Sequence, residues 1–112
     1  MKRGDLVLAA MQGDFGKPRP CVVIQSDRYQ NDFDSVLVCP LSTHVAPTHI
    51  VRIRIEPTRS TGLRETSVIM VDKATAVLQK RIRERIGAVE PDIMLQIETA
   101  LTLLLDLNQR EP

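Results

Sequence analysis

Tryptophan is absent, and aromatic residues make up only 3% of the 112-residue chain: Phe15, Phe33 and Tyr29. A core must therefore be assembled from Val, Ile, Leu and Met, and a nucleic-acid surface built on many stacked rings is excluded. A strong excess of one charge is missing too. The formal net charge is +1, so the chain carries no bulk polycation signal. No apolar stretch approaches the ~20 residues that span a bilayer, and no signal-peptide core follows Met1-Lys2-Arg3-Gly4-Asp5. A cytoplasmic protein without membrane contact is expected. Cysteine is limited to Cys21 and Cys39, each inside an apolar run, which favours two buried thiols over a disulfide.

The motif inventory is equally spare. The chain has no Walker-type phosphate loop, no G-x-G-x-x-G fingerprint and no serine elbow. Its His and Cys residues fall singly, without metal-ligand spacing. Any chemistry is therefore expected to proceed with no cofactor, using Arg, hydroxyls, carboxylates and at most one His.

What is present points to a folded protein. Hydrophobic residues reach 43% and charged residues 26%, so residues 1–112 are expected to form one domain with one core. Leu6 to Met11 is a short β-type run, and Gln12 to Pro20, rich in Gly and Pro, reads as a loop. Cys21-Val22-Val23-Ile24 is a continuous apolar run of the kind buried on both faces. The polar segment Ser26 to Asp34 leaves room for one helical turn. Ser35 to Leu41, closed by Pro40, is a third strand, and Ile50 to Ile55 a fourth, with Val51, Ile53 and Ile55 on one face and Arg52 and Arg54 on the other. Ser67 to Val71 and Thr75 to Leu78 complete a set of five or six strands. Lys80, Arg81, Arg83 and Arg85 read as a solvated basic face, and Gly87 as a break.

The last segment differs in kind. Pro91 suits the first turn of a helix, and Glu90 and Asp92 suit its positive end. Ile93, Ile97, Ala100, Leu101 and Leu104 recur at helical spacing, widened by Met94 and Leu105, which predicts a helix from Pro91 to Leu107. Strands followed by one amphipathic helix, with no βαβ alternation, give a mainly β (α+β) class: a strongly curved, mostly antiparallel sheet.

Two segments could carry chemistry. In Lys17-Pro18-Arg19-Pro20, flanking prolines restrict the backbone around Arg19, and the buried strand that follows anchors it. An arginine so held can grip a phosphate through two parallel hydrogen bonds. A surface arginine in a turn is the plainer alternative. In Cys39-Pro40-Leu41-Ser42-Thr43-His44, neighbouring hydroxyls leave a strand end and could bond a phosphate or a ribose hydroxyl, though Ser and Thr are also ordinary loop formers.

Those residues carry a resemblance. Arg3-Gly4-Asp5-Leu6, then Arg19-Pro20 before an apolar run, then Val38-Cys39-Pro40-Leu41-Ser42-Thr43, resemble in order the MazF/PemK toxin family. So do Gly62-Leu63, Ser67 to Lys73 and the closing helix. The resemblance implies an SH3-like barrel with a C-terminal helix, forming a homodimer. It implies a toxin of a type II toxin–antitoxin system, restrained by an antitoxin of the MazE/PemI type with a disordered acidic C-terminal segment. The implied activity is metal-independent cleavage of single-stranded RNA: the ribose 2′-OH attacks the adjacent phosphate, leaving a cyclic phosphate and a 5′-hydroxyl. Arg19 falls on the family's catalytic arginine and Ser42 on its strand-end hydroxyl, commonly Thr, with Thr43 beside it as a third candidate catalytic residue. Asp14, Phe15, Lys17, His44 and Asp72 are the candidate substrate-binding residues. Some PemK-type members carry a second catalytic arginine two residues before the acid at position 72; here that residue is Met70. A rival on the same fold, the gyrase-poisoning CcdB type, lacks the Arg-Pro pair and ends in a Trp-bearing helix, which this chain does not have. A proline-peptide-binding SH3 module would need an aromatic groove.

Overall fold

The computed structural model describes residues 1–11, 13, 17–45 and 47–108. Seven strands precede one helix: β1 (Asp5–Ala10), β2 (Pro18–Val23), β3 (Ser35–Ser42), β4 (Arg52–Ile55), β5 (Ser67–Met70), β6 (Thr75–Leu78), β7 (Ile82–Ala88) and α1 (Pro91–Leu104). The sheet runs in the order β4-β5-β3-β2-β1-β7, with β6 pairing β3 off that path, and every pairing is antiparallel. It curves without closing. Among the described residues no helix is long and apolar enough to cross a membrane.

Period-two alternation divides the side chains between two apolar clusters. Leu6, Val22, Cys39, Leu41, Ile53, Ile55 and Ile69 meet Met94, Ile97 and Ala100 of α1 on one face. Val7, Ala9, Cys21, Val23, Val36, Val38 and Val77 gather on the other. The run Cys21-Val22-Val23 is therefore buried on both faces, as its continuous hydrophobicity predicts. Cys21 and Cys39 are both buried and free, and they belong to opposite clusters.

Several boundaries differ from the sequence reading, each for a physical reason. Pro18-Arg19-Pro20, read as loop, begins β2. Its ladder to β3 starts only at Cys21, so over these residues β2 is paired on the β1 flank alone and tolerates proline as an edge strand does. Pro40 lies inside β3 rather than closing it, in the gap between the β6 ladder, which ends at Val38, and the β5 ladder, which begins at Leu41. The missing N–H therefore interrupts no rung on that flank. Lys80, Arg81, Arg83 and Arg85 are all exposed, as a solvated basic face requires, but Arg83 and Arg85 lie on a full strand, β7, and Gly87, read as a break, lies inside it. The helix ends before Leu107 because Asp106 adopts a left-handed backbone (φ 55°), a helix-terminating conformation.

The opening Arg3-Gly4-Asp5 is a structural tie. Arg3 Nε donates to the carbonyl of Ile24 at 3.1 Å and its Nη2 to Glu98 of α1 at 2.9 Å. The Asp5 carboxylate accepts from the backbone N–H of Lys2 at 2.8 Å and pairs with Arg85 of β7 at 3.0 Å. These bonds join the first strand to the last strand and to the helix.

Candidate active site

Arg19 and Ser42 both lie just past the paired part of β2 and β3. Ladder β2–β3 pairs Val23 with Val38, Val22 with Cys39 and Cys21 with Pro40. Both strands continue past that last rung, so Arg19 and Ser42 each stand two residues beyond it, on the sheet face turned away from α1. On its other flank Arg19 pairs with Ala9, whose small side chain leaves room beneath a half-buried arginine. Ser42 Oγ accepts from the backbone N–H of His44 at 3.1 Å, a turn bond that does not consume the hydroxyl proton. Thr43 follows directly and is exposed. Arg19 and the strand-end hydroxyl of Ser42 thus lie on one sheet face, beyond the same end of the β2–β3 ladder.

The remaining candidates are distributed differently. Lys17 and His44 are exposed at the start of β2 and just past β3. Asp14 and Phe15 lie outside the described residues. Asp72 sits in a short 3-10 turn after β5 and is already engaged, its two oxygens accepting from Arg52 Nε at 2.6 Å and Nη2 at 2.8 Å. The Arg52 hydrogen bond is the main force holding the Asp72 carboxyl below its ordinary range; desolvation opposes it, and the attraction of the Arg52 charge adds a lesser push in the same downward direction. Burial pushes the nearby Cys39 thiol up to about 12, with the Asp72 charge adding to it, so this cysteine is no nucleophile.

Arg52 escaped the sequence reading, which saw only the outward side of an alternating strand. Register gives it a place. β4 pairs Arg52 with Met70 and Arg54 with Val68, and β5 in turn pairs Val68 with Ser42. The arginine missing at position 70 thus has a guanidinium on the strand directly opposite. No group of three or more His, Cys, Asp or Glu among the described residues is placed to hold a metal ion.

Comparisons with known proteins place the chain in a family. The profile of the PemK-like, MazF-like toxins of type II toxin–antitoxin systems matches residues 2–105. The chain belongs to this family. It is similar to a probable endoribonuclease MazF of Mycolicibacterium smegmatis (strain ATCC 700084 / mc(2)155), at 40% identity over 108 residues, covering 96% of this chain and 98% of that protein. Among solved structures, a mycobacterial endoribonuclease in complex with its cognate antitoxin superposes with a TM-score of 0.79 at 20% identity, covering 100% of this chain and 99% of that one. MazF of a MazE–MazF structure from Deinococcus radiodurans gives 0.79 at 18% identity, covering 96% of this chain and 97% of that one. These two likenesses speak to the fold. The gyrase-directed alternative gains no support from these relatives.

Proposed function

We propose that this PemK/MazF-family toxin is an endoribonuclease that cuts single-stranded RNA without a metal ion. The observation that carries the reading is the matched register of Arg19 and Ser42 beyond the last β2–β3 rung. The relative named a probable endoribonuclease supports it.

The residue types suit a phosphate displacement. The ribose 2′-OH attacks phosphorus and the bond to the 5′-oxygen breaks, giving a cyclic phosphate and a 5′-hydroxyl. Negative charge concentrates on the phosphate oxygens in the transition state, where a fixed guanidinium at Arg19 stabilises it by roughly 3 kcal/mol, the scale of one preorganised donor. Ser42 and Thr43 orient the phosphate through their hydroxyl protons. Asp72, bound to Arg52 and depressed in pKa, is a weak candidate for proton acceptor.

Two partners accompany this reading: a second copy of the chain, and an antitoxin whose acidic tail covers Arg19. Lys80, Arg81 and Arg83 are exposed and available to that tail, whereas Arg85 already pairs with Asp5. The test is incubation of a long single-stranded RNA with the purified protein in EDTA. Discrete cuts that vanish in a folded Arg19→Ala variant support the reading. Cleavage that survives Arg19→Ala, or that needs added Mg²⁺, overturns it.

A further inference from the structure

Resting on the ribonuclease reading, we propose that Arg52, held in place by Asp72, is a second phosphate-binding guanidinium that grips the RNA strand beside the Arg19–Ser42 site. Four observations combine. Ile53 and Ile55 of β4 are buried in the helix-side cluster, so Arg52 lies on the opposite face, the one that carries Arg19 and Ser42. The rungs Ser42↔Val68 and Arg52↔Met70 set Arg52 two strand spacings across and two residues along from Ser42, about 12 Å between Cα atoms. Intervening Val68 and Met70 are buried and uncharged, so no carboxylate of β5 competes for the guanidinium from that strand. And the guanidinium is fixed at two atoms before any ligand arrives.

The planar fork makes this productive. Asp72 takes the edge formed by Nε and Nη2, which leaves Nη1 and the second N–H of Nη2 to donate along the neighbouring edge, a pair of donors that matches two phosphate oxygens. Side-chain exposure is 34% for Arg52 and 33% for Asp72, enough for contact yet restricted enough to stay ordered. Arg54, on the same face, is a weaker candidate: it bonds Glu56 two residues along its own strand, and both side chains are more than half exposed.

The experiment measures binding rather than cutting. The probe is a single-stranded RNA made 2′-deoxy at the nucleotide where the wild-type protein cuts, so that no attacking hydroxyl is present. Affinity is followed by fluorescence anisotropy across a salt series for the wild type, Arg52→Ala and Arg52→Lys. Each phosphate contact on a single strand contributes about 0.7 to the slope of log K against log salt. Arg52→Ala is expected to lose about that much slope and to bind on the order of tenfold more weakly at low salt. Arg52→Lys keeps the charge and loses the two-point clamp, so it should keep the slope and still bind more weakly. A folded Arg52→Ala protein with the wild-type slope would overturn the contact, and an Arg52→Lys protein that binds as tightly as wild type would overturn the role given to Asp72. Failure of the ribonuclease reading looks different: there the wild-type protein itself neither cuts nor binds RNA.

Discussion

Arg19 and Ser42 stand at matching positions on β2 and β3, each two residues past the rung that pairs Cys21 with Pro40. Their alignment is a consequence of two apolar runs whose register is pinned on both faces. Slipping either strand by one residue would move Val22 and Cys39 out of the helix-side cluster and turn Arg19 or Ser42 to that face. The strand core is thus what aims the polar pair.

The two members should respond differently to conservative change. Arg19→Lys retains charge but not the two-point fork, so it is expected to lose roughly 10²-fold to 10³-fold in cleavage rate, as when one preorganised donor is removed. Ser42→Ala should be slower by a smaller factor because Thr43 lies beside it, and Ser42→Thr should retain most of the activity. Single-turnover cleavage of a defined RNA measures all three. Wild-type rates in Arg19→Lys would show that only the charge matters.

A second prediction concerns backbone proximity. The loop at Thr61-Gly62 packs directly on β7 at Ile86-Gly87. A Cβ on Gly87 would meet the carbonyl oxygens of Thr61 and Ser60 at 2.3 and 2.4 Å, and one on Gly62 would meet that of Ile86 at 2.0 Å. These neighbours are backbone and cannot swing aside. Gly87→Ala is expected to cost on the order of 4 kcal/mol, at the severe end for a point substitution. Urea denaturation with an unchanged midpoint would contradict the close packing.

The legible parts of the fold were those with an intact period. β6 and the start of α1 matched expectation, and so did the two-sided burial of Cys21-Val22-Val23. β7 was missed because its alternation is broken twice. Ala9 pairs with Ile82 and Leu8 with Glu84, and then Val7 with Arg85 and Leu6 with Gly87, so the register shifts at both Arg83 and Ile86. Arg83, Glu84 and Arg85 are consequently all exposed, and no sequence period survives. Prolines misplaced two strand limits because their effect depends on which flank is paired, which only topology supplies. In the site, Arg19 and Ser42 were visible as residue types, while Arg52 acquires meaning only through the rungs of β4 and β5.

Thiol chemistry supplies a third test. Cys21 and Cys39 are each 0% exposed, and burial pushes Cys39 up to about 12. Neither should react with a thiol-specific disulfide reagent in the native protein near neutral pH, while both should react in denaturant. Rapid labelling of the folded protein would show that the strands open locally far more often than their packing implies.

The last prediction follows acidification. Asp72 is held below its ordinary range chiefly by the hydrogen bond from Arg52. A carboxyl depressed in the folded state adds stability that is fully present above its unfolded value, about 3.9, and that is lost as pH falls through the lower folded value. Both partners are about one-third exposed, which restricts the gain to that of a well-formed surface pair, roughly 1 kcal/mol. Asp72→Asn should therefore lower the melting temperature slightly near neutral pH. The gap to wild type should narrow as the pH drops below about 4, where the unfolded chain's carboxyl takes up its proton first, and close once the pH has passed the lower folded value. A gap that stays constant on acidification would mean that the Arg52–Asp72 contact carries no ionic stabilisation, and that Asn holds the 3-10 turn as well as Asp does.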